Sequence, residues 1–336
     1  MSINFIDKSR KDYYKLLDEV FDSGFLSDGN MVKNFEKKFS LSVGLESSAV
    51  CNGGAALFAI LKYIDVSDSD VIVPSNTFMA TPLSVKLAGG NIVWADSNRY
   101  DLCLSYSDLI KRVTKKTKAV IVVHIGGHIA FDIFKIKEFC KKNNIILIED
   151  CAHAHGAEYK GIKAGGFGLA GAYSFYATKT MPLGEGGMVV SNDKKLIQWV
   201  NKFKNYGKFE YDVQGFNFRM NEMTAAFGLI QMKNLPVILK WKRLLAGKYD
   251  KIFKNKLVLP EGMTSGYYKY IVFDKIKKGV TGKVYGELCH EIMKSGEKLS
   301  NSSWIKTNHS CIDINYASEL AKLSSEKLKR YFEIKN

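Results

Sequence analysis

The chain has 336 residues, of which 46% are hydrophobic, 25% charged and 12% aromatic, an ordinary globular composition that excludes a disordered or fibrous class. Single cores stop growing near that length, so a large domain and a smaller satellite are expected. The net charge of +15 comes from dispersed lysines, in pairs such as Lys115-Lys116, Lys141-Lys142 and Lys194-Lys195, a pattern of solvated faces that argues against a nucleic-acid partner and favours, at most, an anionic small substrate.

The six cysteines, Cys51, Cys103, Cys140, Cys151, Cys289 and Cys311, have no short paired spacing, so neither a zinc knuckle nor a redox CxxC is available and a reduced cytoplasmic protein is expected. No apolar segment follows the first charges, and runs such as Ala119–Val123 and Ile145–Ile148 are too short to span a bilayer. Neither a secreted nor a membrane-bound chain is expected.

In chain order, Asn52-Gly53-Gly54-Ala55-Ala56-Leu57 reads as a glycine turn opening a helix, whose free N–H groups and dipole favour an anion. From about Val66 to Val190, β-branched runs alternate with amphipathic stretches, which builds an α/β fold with a mostly parallel sheet under helices. The strands are VIVP, NIVWA, AVIVV and IILIE. The first ends at Pro74-Ser75-Asn76-Thr77-Phe78, where Phe78 either packs into the core or lies on a flat heteroaromatic ring. Between the last two, Asp132 is placed to cap a helix with Ile133, Ile136, Phe139 and Cys140 on one face, giving a right-handed βαβ crossover.

IILIE runs directly into Asp150, at the carboxyl end of a parallel strand, where open α/β sheets bind ligands. A carboxylate there can keep a heterocycle nitrogen protonated, as a pyridoxal ring requires; an isolated strand-end Asp reads equally as a cap or an ion-pair partner. His153 and His155 beside it do not make a metal centre, since alternate residues seldom converge without further ligands. Gly166, Gly168 and Gly171 spell G-x-G-x-x-G, but a strand, AYSFY, follows where a dinucleotide fingerprint needs a helix. In AYSFYATKTMPLGEGGMVV, Lys179 falls in a turn among Tyr, Phe, Met and Pro; it is either a solvated lysine or a partly desolvated amine, nucleophilic toward an aldehyde. Ser174 offers a hydroxyl nearby. After Gly215 come a helix near 221–233, Pro236, a second helix to about Ile252 and one clear strand, YYKYIVF, so the boundary is placed near residue 235.

The ordered segments VKNFEKKF, NGGAAL, VPSNTFMAT, VVHIGGH, EDCAHAHGA, SFYATKTMPLGEGG and GFNFRMNEMTAA resemble those of the DegT/DnrJ/EryC1/StrS family of sugar aminotransferases, a branch of the aspartate-aminotransferase fold. The resemblance implies fold type I of the pyridoxal-phosphate-dependent transferases, with a cofactor-binding domain over 1–235 and, over 236–336, a connecting helix and a small α+β domain. It implies pyridoxal 5'-phosphate as cofactor, Lys179 as the Schiff-base lysine and proton shuttle, Asp150 on the pyridine nitrogen, His153 on the phenolic oxygen and Phe78 stacked on the ring. Gly53, Gly54 and Ser174 would bind the phosphate, with Asn217 reaching in from a second subunit of a homodimer. The implied reaction is ping-pong transfer from an amino acid, glutamate, to a nucleotide-linked 4-keto-6-deoxyhexose for a surface polysaccharide or glycosylated metabolite. A keto-cyclitol or smaller keto-sugar is the alternative acceptor, and a non-catalytic regulatory relative the alternative role. The sequence departs from the family pattern at Gly54, where threonine is common, and after Phe273, where a longer segment usually shapes the sugar pocket.

Overall fold

The computed structural model describes residues 7–274, 276, 278–315 and 317–333. Helices α1 (Asp7–Ser23) and α2 (Asn30–Val43) precede β1 (Glu46–Val50), α3 (Gly53–Tyr63), β2 (Asp70–Pro74), α4 (Ala80–Leu87), β3 (Asn91–Ala95) and α5 (Tyr106–Arg112). Then follow β4 (Thr117–Val123), α6 (Ile133–Lys142), β5 (Ile146–Asp150), the short β6 (Glu158–Tyr159) and β7 (Ile162–Lys163), β8 (Ala170–Ser174), β9 (Gly187–Ser191) and α7 (Lys194–Phe203). The long α8 (Glu222–Tyr249) leads to β10 (Met263–Thr264), β11 (Tyr270–Val272), α9 (Cys289–Ile292), α10 (Ser300–Asn308), β12 (Ser310–Ile312), α11 (Ala317–Leu320) and α12 (Ser325–Tyr331).

Seven strands form the central sheet in the order β1-β9-β8-β5-β4-β2-β3. The pairs β3–β2, β2–β4, β4–β5 and β5–β8 are parallel, while β9 runs antiparallel to both β8 and β1. The predicted runs are these strands: Val71–Val73, Ala119–Val122 and Leu147–Ile148 are buried as continuous apolar stretches because helices cover both faces of a parallel sheet. Helix α6 buries Ile133, Ile136 and Cys140 in the crossover from β4 to β5. Asp132 stands at its N-cap position but does not cap it; its carboxylate accepts from Tyr100 (2.9 Å), Lys135 (3.0 Å) and Asn98 (3.1 Å) instead.

The expected pair of helices around Pro236 is a single helix, the 28-residue α8. Proline removes one backbone donor, yet the flanking turns are held by burial: Ala225, Ala226, Leu229 and Leu235 face the large core on one side of it, Leu245, Ala246 and Tyr249 a second cluster on the other. Residue 235 therefore lies within a continuous helix, and the two clusters part between Leu239 and Leu245. The second cluster joins the end of α8 to Tyr270, Val272, Ile312, Leu328 and Phe332, around the two-stranded β11–β12 sheet. Helix α8 also anchors α2, because buried Glu222 accepts from the N–H groups of Gly29 (2.9 Å), Met31 (2.8 Å) and Val32 (3.0 Å), filling donors that no side chain of α2 itself caps.

The glycine-rich loop 165–168 has a structural task. Its N–H groups on Gly165, Phe167 and Gly168 each donate at 2.7 Å to the fully buried Glu149, and His124 Nε2 donates at 2.9 Å. Because Ala130 N–H donates to His124 Nδ1 (3.2 Å), the proton sits on Nε2 and the imidazole is neutral. This knot of four donors fixes the end of β5, and with it Asp150.

Candidate active site

Asp150 ends β5 with its side chain at the carboxyl edge of the sheet, buried. Its Oδ2 accepts from the Thr81 hydroxyl (2.9 Å) and its Oδ1 from Ala152 N–H (3.0 Å); Thr81 is in turn paired with the Thr77 hydroxyl at 2.8 Å. Burial raises its pKa, and the two donors pull it back. The carboxylate is thus oriented by one donor on each oxygen, with lone pairs left for a further donor.

Lys179 sits in the turn between β8 and β9, closed by Lys179 N–H to the Tyr176 carbonyl (2.9 Å) and Leu183 N–H to the Phe175 carbonyl (2.8 Å). Its Nζ stands 5.0 Å from the centre of the Tyr268 ring. Burial brings its pKa down to about 8, with Asp150 opposing and Lys269 adding to the shift. A lysine so placed carries a substantial neutral fraction near neutral pH, which is the nucleophilic form.

His153 is buried, stacked on Tyr268 with centroids 4.1 Å apart, and its Nε2 lies 3.4 Å from the Tyr285 hydroxyl. Burial, then the charge of Lys179, holds its pKa well below the usual value, so the ring is neutral. Its Nδ1 is buried and has no hydrogen-bond partner among the described residues. Such a group costs about 1–3 kcal/mol, and a ligand that supplies the missing contact recovers it.

Gly53 opens α3, capped by Asn52 Oδ1 on Ala55 N–H (2.8 Å), and meets Ser174: a Cβ on Gly53 would stand 2.8 Å from Ser174 Cβ. Only glycine lets the helix end approach that hydroxyl. At Gly54 a Cβ would meet Asn52 Oδ1 at 3.3 Å and Ala80 Cβ at 3.7 Å, so a side chain there is crowded but not blocked. Phe78 is 63% exposed, beyond the end of β2, and is not part of the core. Asn217 is exposed, and its side chain accepts only from Arg219 N–H (3.3 Å) among the described residues. The neighbouring Phe218 carbonyl takes Cys51 N–H at 2.7 Å, so the GFNFRM segment runs beside the entry to α3 in its own chain.

The structure therefore brings Asp150, Lys179 and His153 to one sheet edge and Gly53 to Ser174, while Phe78 and Asn217 face outward. Thr81, Tyr268, Tyr285 and Lys269 are site residues that sequence reasoning did not single out. The clustering of Tyr267-Tyr268-Lys269-Tyr270 at a strand start is the signal that was available for two of them.

A strand-end carboxylate, a desolvated lysine in the turn after the neighbouring strand and a glycine turn on a helix, all at the carboxyl edge of a mostly parallel seven-stranded sheet, define the pyridoxal-phosphate-dependent transferase fold. The profile of the DegT/DnrJ/EryC1/StrS aminotransferase family matches residues 7–273, and the chain belongs to that family. It is 38% identical over 243 residues to GDP-perosamine synthase of Escherichia coli O157:H7, covering 70% of this chain and 66% of that one. It is 35% identical over 257 residues to dTDP-3-amino-3,6-dideoxy-alpha-D-galactopyranose transaminase of Aneurinibacillus thermoaerophilus, covering 74% and 70%. Among solved structures it is similar to the aminotransferase TlmJ from Streptoalloteichus hindustanus, with TM-score 0.86, 25% identity and coverage of 96% and 94%. The chain spans just under two thirds of the length of the perosamine synthases of Escherichia coli and Vibrio cholerae, 66% in each case.

Proposed function

We propose that this protein is a pyridoxal-5'-phosphate-dependent aminotransferase that moves an amino group from glutamate to a nucleotide-linked 4-keto-6-deoxyhexose by a ping-pong mechanism. The observation that carries the reading is the convergence of buried Asp150, at the end of β5, and partly buried Lys179, in the turn that follows the neighbouring parallel strand β8, in a chain of this family. The residues fit the cofactor on three independent counts. His153 Nδ1 is an orphaned polar atom, Asp150 is a buried carboxylate with one donor on each oxygen and acceptor capacity to spare, and the Gly53–Ser174 approach leaves a helix opening beside a hydroxyl.

In this reading Gly53, Gly54 and Ser174 bind the phosphate through backbone N–H groups and a hydroxyl. Asp150 keeps the ring nitrogen protonated, His153 contacts the phenolic oxygen and Phe78 covers the ring. Bound cofactor supplies the electron sink that stabilises charge at the substrate carbon. Lys179 would hold the cofactor through its Nζ and, as a free amine, would move the proton between the substrate carbon and the cofactor. Asn217 completes the site of the partner in a homodimer, as its exposure in the single chain allows. The relatives named above carry GDP-linked and dTDP-linked amino sugars in their names, which supports a nucleotide-linked sugar without selecting the base. No described helix is long and apolar enough to cross a membrane, and all six cysteines are free, which supports work in the cytoplasm.

The test is a two-step spectral titration. Glutamate should bleach the visible band of the cofactor-loaded protein, and a nucleotide-linked keto-sugar should restore it. Restoration by a free keto-cyclitol but by no nucleotide sugar would replace the acceptor while leaving the amine transfer intact. No bleaching by any amino acid would sink the aminotransferase reading.

A further inference from the structure

Lys269 lies at the start of β11, its N–H donating to the Gly126 carbonyl at 2.9 Å, so the backbone of the second small sheet is tied to the loop after β4. Its Nζ stands 5.2 Å from the centre of the Tyr268 ring, the same ring that Lys179 Nζ approaches at 5.0 Å. The two ammonium groups are thus at most about 10 Å apart. A third cation stands behind them: buried Lys242 donates to the Tyr267 carbonyl at 2.9 Å, and burial together with Lys269 brings its pKa down to about 7. Among the described residues, no carboxylate forms an ion pair with Lys179, Lys242 or Lys269. Asp150 offsets part of this charge at Lys179 and Asp313 part of it at Lys242, whereas Lys269 has no ion-pair partner among the described residues, so an anion bound beside Lys269 relieves its repulsion with the other two lysines.

We propose that Lys269 is the anchor for a carboxylate of the amino-acid donor, holding the donor by its acid group while its amine lies at Lys179. The inference rests on the aminotransferase reading above and adds a residue to it. A donor amino acid carries its carboxylate on the carbon that bears the reacting amine, and a dicarboxylic donor carries a second one a short chain away. Both therefore fall within the reach of a cation that shares a tyrosine ring with Lys179. The ring itself is held in place, since Tyr268 stacks on His153 and its hydroxyl pairs with Thr178 at 3.1 Å. Lys269 is not assigned to the chemistry: Lys179 is the only one of the three cations that touches the reacting atoms in this scheme.

Binding and half-reactions are measured separately. Calorimetry with glutarate, a dicarboxylate that cannot react, should show binding to the wild-type protein, a loss of roughly tenfold or more in Lys269→Ala, and retention within a few-fold in Lys269→Arg. In the glutamate half-reaction, Lys269→Ala should raise the half-saturating donor concentration by about the same factor, with little change in the rate at saturation and none in the acceptor's half-saturating concentration. Unchanged glutarate binding in Lys269→Ala overturns the proposal. So does a result in which pyrophosphate binding, and not glutarate binding, depends on Lys269, because the cation would then serve the acceptor. A wild-type protein that binds glutarate through Lys269 but performs no donor half-reaction would count against the aminotransferase reading alone.

Discussion

Lys179 and Asp150 make opposite demands on the same burial. Loss of water lowers the lysine to about 8 and raises the aspartate, so one becomes a nucleophile while the other needs donors to stay ionised. Attachment of the cofactor requires the neutral amine, so its rate should rise with pH and level off above about 8; stopped-flow absorbance checks this, and a rate independent of pH between 6 and 9 would contradict it. Thr81→Val removes a donor to Asp150 while conserving shape. Since that donor lowers the aspartate's pKa, its loss should shift the acidic limb of the pH–rate profile to higher pH and reduce the rate about tenfold. Local pattern alone left both residues of the central pair open, since a strand-end acid also reads as a cap and a turn lysine as a solvated one, and only the resemblance to the family singled them out together. Thr81 had no signal at all, since its contact bridges 69 residues and only the fold creates it. The adjacent Glu149 shows how little the sequence distinguishes neighbours: two consecutive acids end β5, and one is left with acceptor capacity at the candidate site while the other is consumed by the loop 165–168.

Strands were the easiest elements to read, since β2, β4 and β5 are buried on both faces and leave unbroken β-branched runs. Helix α8 was misread at Pro236, where local propensity predicts a break and burial of the flanking turns overrides it. Asp132 shows the reverse: the right residue occupies the cap position, but three competing donors take its carboxylate. The long-range cap by Glu222 has no local signature at all, because acceptor and helix start are nearly two hundred residues apart. Glu222→Ala leaves three buried N–H groups without an acceptor and is expected to destabilise the protein by about 3 kcal/mol in urea unfolding, with cofactor binding retained in the folded fraction. A change under about 0.5 kcal/mol would mean that water or another group replaces the carboxylate.

At the scale of the whole molecule, the large aromatics Phe78, Tyr176, Phe209, Tyr211 and Phe216 are exposed, surface of the kind the proposed homodimer would cover. An Asn217→Ala chain and a Lys179→Ala chain, each inactive alone, should regain activity on co-assembly if Asn217 serves its partner, because each heterodimer then contains one intact site. No recovery in a verified heterodimer would confine Asn217 to its own chain. The sequence anticipated the parallel sheet and the resemblance to the family, whereas the small domain's own cluster, built from residues spread between Leu245 and Phe332, offered only one strand to read. The account as a whole rests on Lys179 holding the cofactor. Protein incubated with pyridoxal 5'-phosphate, reduced with borohydride and digested should carry the reduced cofactor on the peptide containing Lys179, with none in Lys179→Ala. Label on another lysine, or equal label in the two proteins, would contradict the assignment.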